Sequence, residues 1–244
     1  MKVLIVGATS SIAHETAKLF ASDGAEFFLV ARNKEKLNAV AADLRVRGAQ
    51  RAEEFPMDLN NFELHQQLID IVKSNLHDID IALIAHGTLS DQEECQNDTT
   101  KLINEFNTNC LSTLSLLTHL ANYFEYRRMG CIAVISSVAG ERGRQSNYVY
   151  GAAKGAVTLF LQGLRNRLSP CGVSVVTIKP GFVDTPMTAH LKKNGLFASP
   201  EKIGDQIYHA ILKGKDVVYT PGFWRPIMFM IKLCPEIIFK KLKL

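Results

Sequence analysis

The chain has 244 residues, 47% of them hydrophobic, which is enough to bury one substantial core without a second domain. Its five cysteines are scattered and odd in number, so they indicate reduced thiols in a cytoplasmic protein and exclude a disulfide framework or a cysteine metal site. The net charge of +4 is carried by residues 225–244, which contain five basic residues and one acid, so the neutral body does not indicate a nucleic-acid-binding surface.

Short apolar segments alternate with helical patterns along the chain, and the first begins almost at Met1, leaving no room for a signal peptide. The predicted strands are Val3–Val6, Glu26–Val30, Arg51–Phe55, Ile79–Ile84, Cys131–Ser136, Val173–Ile178 and Val217–Tyr219. This alternation predicts an α/β fold, a doubly wound and mostly parallel sheet of about seven strands with helices on both faces. Without a repeat or linker, residues 1–222 are predicted as a single domain, followed by an apolar basic tail at 223–244.

The first predicted strand leads into a turn of small residues and then into a helical pattern. The turn contains Gly7, Thr9, Ser10 and Ser11, and the helical pattern starts near Ile12. A strand, a small-residue turn and a helix form the context in which a helix N-terminus binds phosphate groups.

Near the middle of the chain, Ser137 ends a predicted strand, and Tyr150 and Lys154 lie four residues apart on a predicted helix at 148–168. Residues at this spacing share one helix face, and an ammonium beside a phenol favours the phenolate. We therefore expect Lys154 to lower the pKa of Tyr150, although a shift from ~10 to ~7 requires about 4 kcal/mol. Ser136 should point away from Ser137 on a strand, and Tyr148 is followed four residues later by Ala152 instead of a lysine.

Together these residues resemble the ordinary branch of the short-chain dehydrogenase/reductase family, in order from residue 2 to about residue 220. The resemblance implies that Tyr150 gives its proton to a carbonyl oxygen as hydride arrives at the carbon, while Ser137 holds that oxygen. It also implies that Lys154 holds the nicotinamide ribose and that Asn109 anchors a water in a proton relay; a helix-interior Asn bonded to backbone is the alternative.

The resemblance further implies a set of residues that bind a nicotinamide dinucleotide. The set is Gly7, Thr9, Ser10, Ser11, Ile12, Arg32, Asp58, Leu59, Ala85, His86, Gly87, Tyr150, Lys154, Pro180, Gly181, Val183 and Thr185. Ser11 and Ala13 replace two glycines of the family turn, and Ala85 and His86 replace its Asn-Ala pair. The histidines form no ligand pairs, so no metal site is expected.

The preferred cofactor is predicted from the end of the second strand. NAD enzymes of this architecture place an acid there, whereas this chain has Ala31 followed by Arg32. A guanidinium can form a forked contact with the 2′-phosphate of NADP, so we predict NADPH. The alternative is that Arg32 is a solvated loop cation.

The substrate is predicted only as a small carbonyl compound, apolar or lipid-linked, beneath a lid at 187–199. The tail also gives a weaker resemblance to reductases of polyprenyl-phospho-ketosugars. Two alternatives stay open for the tail: an anchor at a membrane surface, or a contact across a subunit interface. For an anchor we expect Trp224, Phe229 and Ile238 to be partly exposed, Lys240, Lys241 and Lys243 to face anionic headgroups, and reduction of soluble ketones to survive removal of residues 223–244.

The helix at 148–168 is apolar nearly all round, which indicates a subunit interface in a homodimer or homotetramer. The rival hypothesis for function is a dehydrogenase-like protein that binds or senses the cofactor without catalysis. Ser11 and the missing Asn at position 85 are its only support. A third hypothesis, a scaffold acting through the tail alone, predicts no nucleotide binding.

Overall fold

The computed structural model describes residues 1–242 and contains one sheet of seven parallel strands in the order β3-β2-β1-β4-β5-β6-β7. The strands are β1 Lys2–Val6, β2 Glu26–Ala31, β3 Arg51–Pro56, β4 Ile81–Ile84, β5 Cys131–Ile135, β6 Ser174–Pro180 and β7 Val217–Thr220. The predicted doubly wound fold is confirmed. The fourth strand begins later than predicted, at Ile81, because the N–H of Ile79 is bonded to the Tyr123 hydroxyl (2.9 Å).

Ten α-helices surround the sheet in the described part of the chain. They are α1 Ser11–Ser22, α2 Lys34–Val46, α3 His65–Leu76, α4 Gln92–Asn97, α5 Thr99–Phe106, α6 Ser112–Arg127, α7 Tyr148–Leu168, α8 Pro200–Leu212, α9 Trp224–Leu233 and α10 Glu236–Phe239. A π-helical segment, Asn107–Leu111, joins α5 to α6, and Asn109 lies within it.

The two faces of the sheet bury two separate apolar cores. Because successive strand residues point to opposite faces, Val3 and Ile5 pack with α1, α2 and α8, whereas Leu4 and Val6 pack with α3, α6 and α7. All four of these side chains are at most 1% exposed. Fully covered faces are what a parallel sheet requires, and they explain why its strands have continuous apolar sequences.

The strand order reverses direction between β1 and β4, and ligands of open α/β sheets bind at such a point, beyond the carboxyl ends of the strands. The polar residues singled out by the sequence follow β1, β2, β3, β4, β5 and β6 and therefore lie along this one edge.

The tail forms α9 and α10, the two short helices that its sequence indicates. Trp224 is only 3% exposed, so it lacks the exposure expected of it in an anchor, whereas Phe229 and Ile238 are 58% and 52% exposed. The indole is buried because it packs against Val138 and Met228 in a small cluster of its own. Within residues 1–242, no helix has both the length and the apolar composition needed to cross a bilayer. Lys243 of the predicted basic set lies outside the described residues.

Candidate active site

Ser137, Tyr150 and Lys154 are brought together because a tight turn at Val138–Glu141 lies directly on the backbone of α7. A Cβ atom at Gly140 would come within 2.6 Å of the Gly155 nitrogen, so only glycine permits this approach. The Ser137 hydroxyl accepts a hydrogen bond from the Ala139 N–H (3.1 Å), which fixes the serine at the start of the turn. The turn thereby holds Ser137 beside the first turns of α7.

Ser136 and Tyr148, the neighbouring candidates, are directed elsewhere. The Ser136 hydroxyl donates to the Lys154 carbonyl (3.0 Å), bonds Thr158 (2.7 Å) and is 2% exposed. Tyr148 is 43% exposed at the start of α7. Ser136 therefore fastens β5 to α7, and Ser137 is the serine that shares its surroundings with Tyr150.

The expected lowering of the Tyr150 pKa is wrong for this structure. Burial raises the pKa of Tyr150 to about 12. A hydrogen bond with the Ser137 side chain lowers this pKa, whereas the charge of Glu105 raises it further. Burial has the opposite effect on the pKa of Lys154, which it lowers to about 8, because the charged form of a lysine is the protonated one. The ammonium donates to the Ile135 carbonyl (3.2 Å) and lies 5.8 Å from the centre of the Tyr150 ring. At neutral pH Tyr150 therefore carries its proton, which is the form that a general acid needs.

Asn109 lies fully buried in the π-helical segment, where its amide is bonded on both sides. Its oxygen accepts from the Thr88 N–H (3.1 Å) and its nitrogen donates to the Glu105 carboxylate (2.8 Å). A Cβ at Gly87 would lie 2.6 Å from the Asn109 oxygen and 3.4 Å from the Lys154 ammonium nitrogen. The Asn109 oxygen and the Lys154 ammonium therefore lie on the same side of Gly87, close to each other.

Glu105 and Thr88 belong to this cluster, and sequence reasoning missed both. The signal for Glu105 was its position four residues before Asn109 on a helical pattern, which places the two on one face.

The turn after β1 forms a cradle at the amino end of α1. Gly7 adopts a φ of +84°, and a Cβ there would lie 2.4 Å from the backbone nitrogen of His86. Ser10 caps α1 but its side chain makes no capping bond, and the first turn of the helix carries no acidic residue. Thr9 is exposed, and Ser11 and Ile12 are half-buried. Open N–H groups at a helix N-terminus, approached by bare backbone, suit a phosphate group.

Three further predicted residues lie beyond β2 and β3, and two of them face solvent. Arg32 is exposed, and no carboxylate oxygen of the described residues lies within 4.0 Å of its guanidinium nitrogens. Asp58 is exposed and accepts from the Asn60 N–H (3.0 Å). Leu59 is 6% exposed in the core beneath α3, and its carbonyl is bonded to His65 (3.0 Å), so neither its side chain nor its carbonyl is open to a ligand.

Ala85 and His86 follow β4 beside the Gly7 turn. The ring of His86 is bonded through Nε2 to the Ser112 hydroxyl (2.8 Å), while its buried Nδ1 has no partner within residues 1–242. Burial lowers the pKa of His86 to about 3, with the charge of Lys154 acting in the same direction. His86 is therefore neutral at physiological pH and is no candidate for the general acid.

The segment after β6 closes the other side of the site. Gly181 lies flat against Trp224, since a Cβ there would come within 1.8 Å of the indole nitrogen. The ring of Phe182 stacks on Phe197 (5.2 Å between centroids) and meets Trp224 edge-on (5.6 Å). Phe182 and Trp224 pack with Val138, one residue from Ser137, and with Phe197 they form an aromatic wall.

The remaining predicted residues of this segment are partly enclosed. Pro180 ends β6, Val183 is 4% exposed and bridges to Ala198, and Thr185 is half-buried. The far end of the predicted lid at 187–199 is therefore tied to the segment before it by the Val183–Ala198 bridge, and Lys193 within the lid pairs with Asp184 (2.6 Å).

Comparison with known proteins shows the family. Residues 1–195 match the family described as short chain dehydrogenase. The chain belongs to this family. An uncharacterized oxidoreductase of Mycobacterium tuberculosis (strain ATCC 25618 / H37Rv) is 34% identical over 240 residues, covering 98% of this chain and 96% of that protein. An uncharacterized oxidoreductase of Streptomyces coelicolor is 28% identical over 241 residues, covering 98% and 95%.

A solved structure of a short chain dehydrogenase/reductase family protein superimposes with a TM-score of 0.79 at 24% identity, covering 90% of this chain and 94% of that one. The chain is thus an oxidoreductase of a family that uses NAD(P) cofactors. The Gly7 cradle and the uncapped start of α1 fit the phosphates of such a cofactor. Within the described residues, no group of three His, Cys, Asp or Glu side chains could hold a metal ion.

Proposed function

We propose that the protein is an NADPH-dependent carbonyl reductase that converts a ketone to a secondary alcohol, with Tyr150 as the general acid. One observation carries the proposal: Ser137, Tyr150 and Lys154 lie together at the sheet edge that also holds the open amino end of α1. A phenol, a hydroxyl and an ammonium beside a phosphate cradle suit proton delivery during hydride transfer.

In this mechanism a bound nicotinamide dinucleotide supplies the hydride. Tyr150 Oη donates its proton to the carbonyl oxygen, and the Ser137 hydroxyl donates a hydrogen bond that stabilises the negative charge developing there. Lys154 holds the ribose hydroxyls, stabilises the tyrosinate that remains and passes a proton back to it after the reduction. Asn109, fixed by its bonds to Thr88 and Glu105, holds a water that returns a proton to Lys154.

The proton affinities of the two groups favour the direction of reduction. With a pKa of about 12, Tyr150 stays protonated across the neutral range. With a pKa of about 8, Lys154 is mostly charged below that pH and loses its charge above it. The proposal therefore predicts ketone reduction that is supported at neutral pH and declines as the pH rises through about 8.

We propose NADPH over NADH because of Arg32. The residue follows β2, the neighbour of β1, and is therefore on the same edge as the Gly7 turn. Its guanidinium is exposed and unpaired among residues 1–242, so it is available to a 2′-phosphate. Asp58 stands farther along the edge, after β3, where it would contact the adenine.

For the substrate we propose a small carbonyl compound with an apolar or lipid-linked body. The wall formed by Phe182, Phe197 and Trp224 supports this, because aromatic faces contribute large apolar contact area. The site would then distinguish substrates by shape and apolar area more than by charge.

We propose that the tail gives the protein a peripheral contact with anionic membrane surfaces. Apolar side chains of α9 and α10 are exposed, namely Phe229 at 58%, Met230 at 66%, Leu233 at 61%, Ile237 at 68% and Ile238 at 52%. Lys240 and Lys241 are exposed beside them. An exposed apolar ridge flanked by cations is typical of a helix that lies in the headgroup region.

The organisation that we propose has a catalytic domain at 1–222, the tail at 223–244, a cytoplasmic location and a homodimer or homotetramer. The exposed side of α7 supports the assembly, because Leu159 is 69% exposed and Ala152 and Gly163 lie near it without large side chains. Small residues allow two helices of neighbouring subunits to approach closely.

Calorimetry with NADPH and NADH, followed by NADPH oxidation against a panel of ketones that includes lipid-linked ketosugars, tests the proposal. We expect NADPH to bind more tightly and at least one ketone to be reduced. Tight NADPH binding without turnover across the panel would instead support a cofactor-sensing protein. Absence of binding to either nucleotide would support a scaffold.

A further inference from the structure

Glu105 is a carboxylate buried behind the candidate site without a basic partner. It is 3% exposed, and no Lys, Arg or His nitrogen of residues 1–242 lies within 4.0 Å of it. Its oxygens accept from the Thr88 hydroxyl (2.7 Å), the Ser90 hydroxyl, the Ser90 N–H (3.3 Å) and the Asn109 amide (2.8 Å). These four neutral donors offset part of the cost of burying the charge. The charge has no ion-pair partner within residues 1–242, so its role must lie in what it does to its neighbours.

The carboxylate determines how Asn109 is oriented. An ionised carboxylate can only accept hydrogen bonds, so the Asn109 amide must present its NH₂ group to Glu105. Its oxygen is thereby directed to the other side, where it accepts from the Thr88 N–H (3.1 Å) and lies against Gly87, the residue next to the Lys154 ammonium.

We propose that Glu105 is a positioning residue of this enzyme, which orients Asn109 toward Lys154 and supplies the negative charge behind the Lys154 ammonium. The proposal rests on the proposed function, in which Asn109 and Lys154 return a proton to the site. The Ser90 end of the same cluster is exposed, so the hydrogen bonds also connect the cluster to solvent.

The charge acts on both groups that must be protonated for reduction. Burial lowers the pKa of Lys154, and Glu105 counteracts this; burial raises the pKa of Tyr150, and Glu105 adds to it. The titratable groups that face this region from the packed elements are Cys95 of α4, Lys154 and Tyr150 of α7, Cys110 of the π-helical segment and His86 after β4. Removal of the Glu105 charge lowers the pKa of both Lys154 and Tyr150, so the alkaline limb of ketone reduction must move to lower pH.

The test is Glu105→Gln, which keeps the shape and removes the charge. The glutamine oxygen can still accept from Asn109, and the hydroxyls of Thr88 and Ser90 can rotate to accept from its NH₂ group. The matched control is Glu94→Gln, which removes an exposed carboxylate of α4 that pairs with Lys101 (2.8 Å). The measurements are the pH profile of kcat/KM for ketone reduction and the titration of Lys154 by ¹³C NMR of lysine-labelled protein.

We expect Glu105→Gln to move the alkaline limb and the Lys154 titration down by roughly half to one pH unit, while Glu94→Gln moves neither. Glu105→Asp, which retains the charge, should keep the wild-type limb even if kcat falls. An unchanged limb and Lys154 titration in Glu105→Gln overturns the proposal, as does an equal loss of activity at every pH together with a lowered Tm. Because the NMR titration needs no turnover, it decides the matter even if no ketone is reduced and the proposed function fails.

Discussion

The strand-end site buries polar side chains, whereas the C-terminal tail exposes apolar ones. In the site Glu105, Asn109 and Lys154 are at most 4% exposed, and each is hydrogen-bonded to backbone or to another polar group. In the tail Met230 and Ile237 are 66% and 68% exposed. Buried polar groups whose hydrogen bonds are all formed hold one geometry. An exposed apolar ridge is instead typical of a surface that contacts another molecule. The site therefore consists of buried, hydrogen-bonded polar groups, whereas the tail leaves apolar surface exposed.

Two neighbouring residues join these regions. Arg142 donates to the carbonyls of Ile231 (3.1 Å) and Cys234 (2.7 Å) at the end of α9 and pairs with Glu236 (2.8 Å). Glu141, with a side chain 4% exposed, pairs with Lys179 (2.6 Å) and Lys232 (3.0 Å). Glu141 ends the turn that follows Ser137 and Arg142 comes directly after it, so the tail is anchored on the loop that carries the serine.

The largest effect should come from Tyr150→Phe, which removes the only atom of the site that we expect to protonate the substrate. General acid catalysis contributes about 10²- to 10⁴-fold, so kcat/KM for ketone reduction should fall by that factor. NADPH affinity should change by less than about twofold, because the hydroxyl acts on the substrate oxygen. Steady-state kinetics and calorimetry measure both. Tyr148→Phe is the control and should behave as wild type; retained activity in Tyr150→Phe would refute the mechanism.

The next largest effect should come from Trp224→Ala, which tests whether the start of the tail belongs to the protein core. Removal of a buried aromatic side chain costs about 3–5 kcal/mol, and this one supports Gly181 and Val138 beside the site. Urea unfolding should therefore show a loss of that order and kcat should fall with it. Phe229→Ala, at an exposed position of the same helix, should change stability by less than about 0.5 kcal/mol. Equal effects of the two substitutions would contradict the burial of Trp224.

A smaller effect is expected from Arg32→Asp, which should change cofactor binding and leave the catalytic groups unchanged. Loss of a charge-assisted bond to the 2′-phosphate corresponds to about a 10- to 150-fold loss of NADPH affinity, and the new carboxylate should favour NADH. Calorimetric Kd values for both nucleotides give the preference directly. Lys213→Asp, the same charge reversal at an exposed position after α8, should leave the preference unchanged. If wild type already binds NADH and NADPH equally, Arg32 is only a surface cation.

Sequence reasoning reached the fold and the proximity of Ser137, Tyr150 and Lys154 because both depend on local patterns. The seven apolar segments determine the strands, and the spacing of Ser137, Tyr150 and Lys154 is readable along one strand and one helix. The position of Glu105 was also readable, but its burial depends on how α4 and α7 pack against α5. The burial of Trp224 is a long-range property as well, since the indole fits only because residue 181 is a glycine.

The Tyr150 pKa was wrongly predicted for a related reason. The spacing of Tyr150 and Lys154 shows that a cation is near, but the sequence does not show how completely the phenol loses its water. In the structure burial is the larger effect, and it raises the pKa to about 12.

The smallest effect should come from Lys240→Gln with Lys241→Gln, which weakens the proposed membrane contact without disturbing the anchored part of the tail. Each cation near an anionic surface contributes about 1 kcal/mol, so the double variant should lose roughly 30-fold in partitioning to phosphatidylserine vesicles. Wild-type binding should also weaken from low to high salt. Substitution is preferable to removal of residues 223–244, because truncation would take Trp224 out of the core and would confuse lost membrane contact with lost stability.

The control is Lys73→Gln with Lys101→Gln, which removes two exposed cations of α3 and α5 and should leave vesicle binding unchanged. Vesicle sedimentation and sedimentation velocity then separate the two hypotheses for the tail. If wild type ignores the vesicles and the variants Phe229→Ser and Ile238→Ser shift the protein toward monomer, the ridge is a subunit contact. In that case the lipid-linked substrate loses its main support, whereas the site at the strand ends should still reduce a soluble ketone.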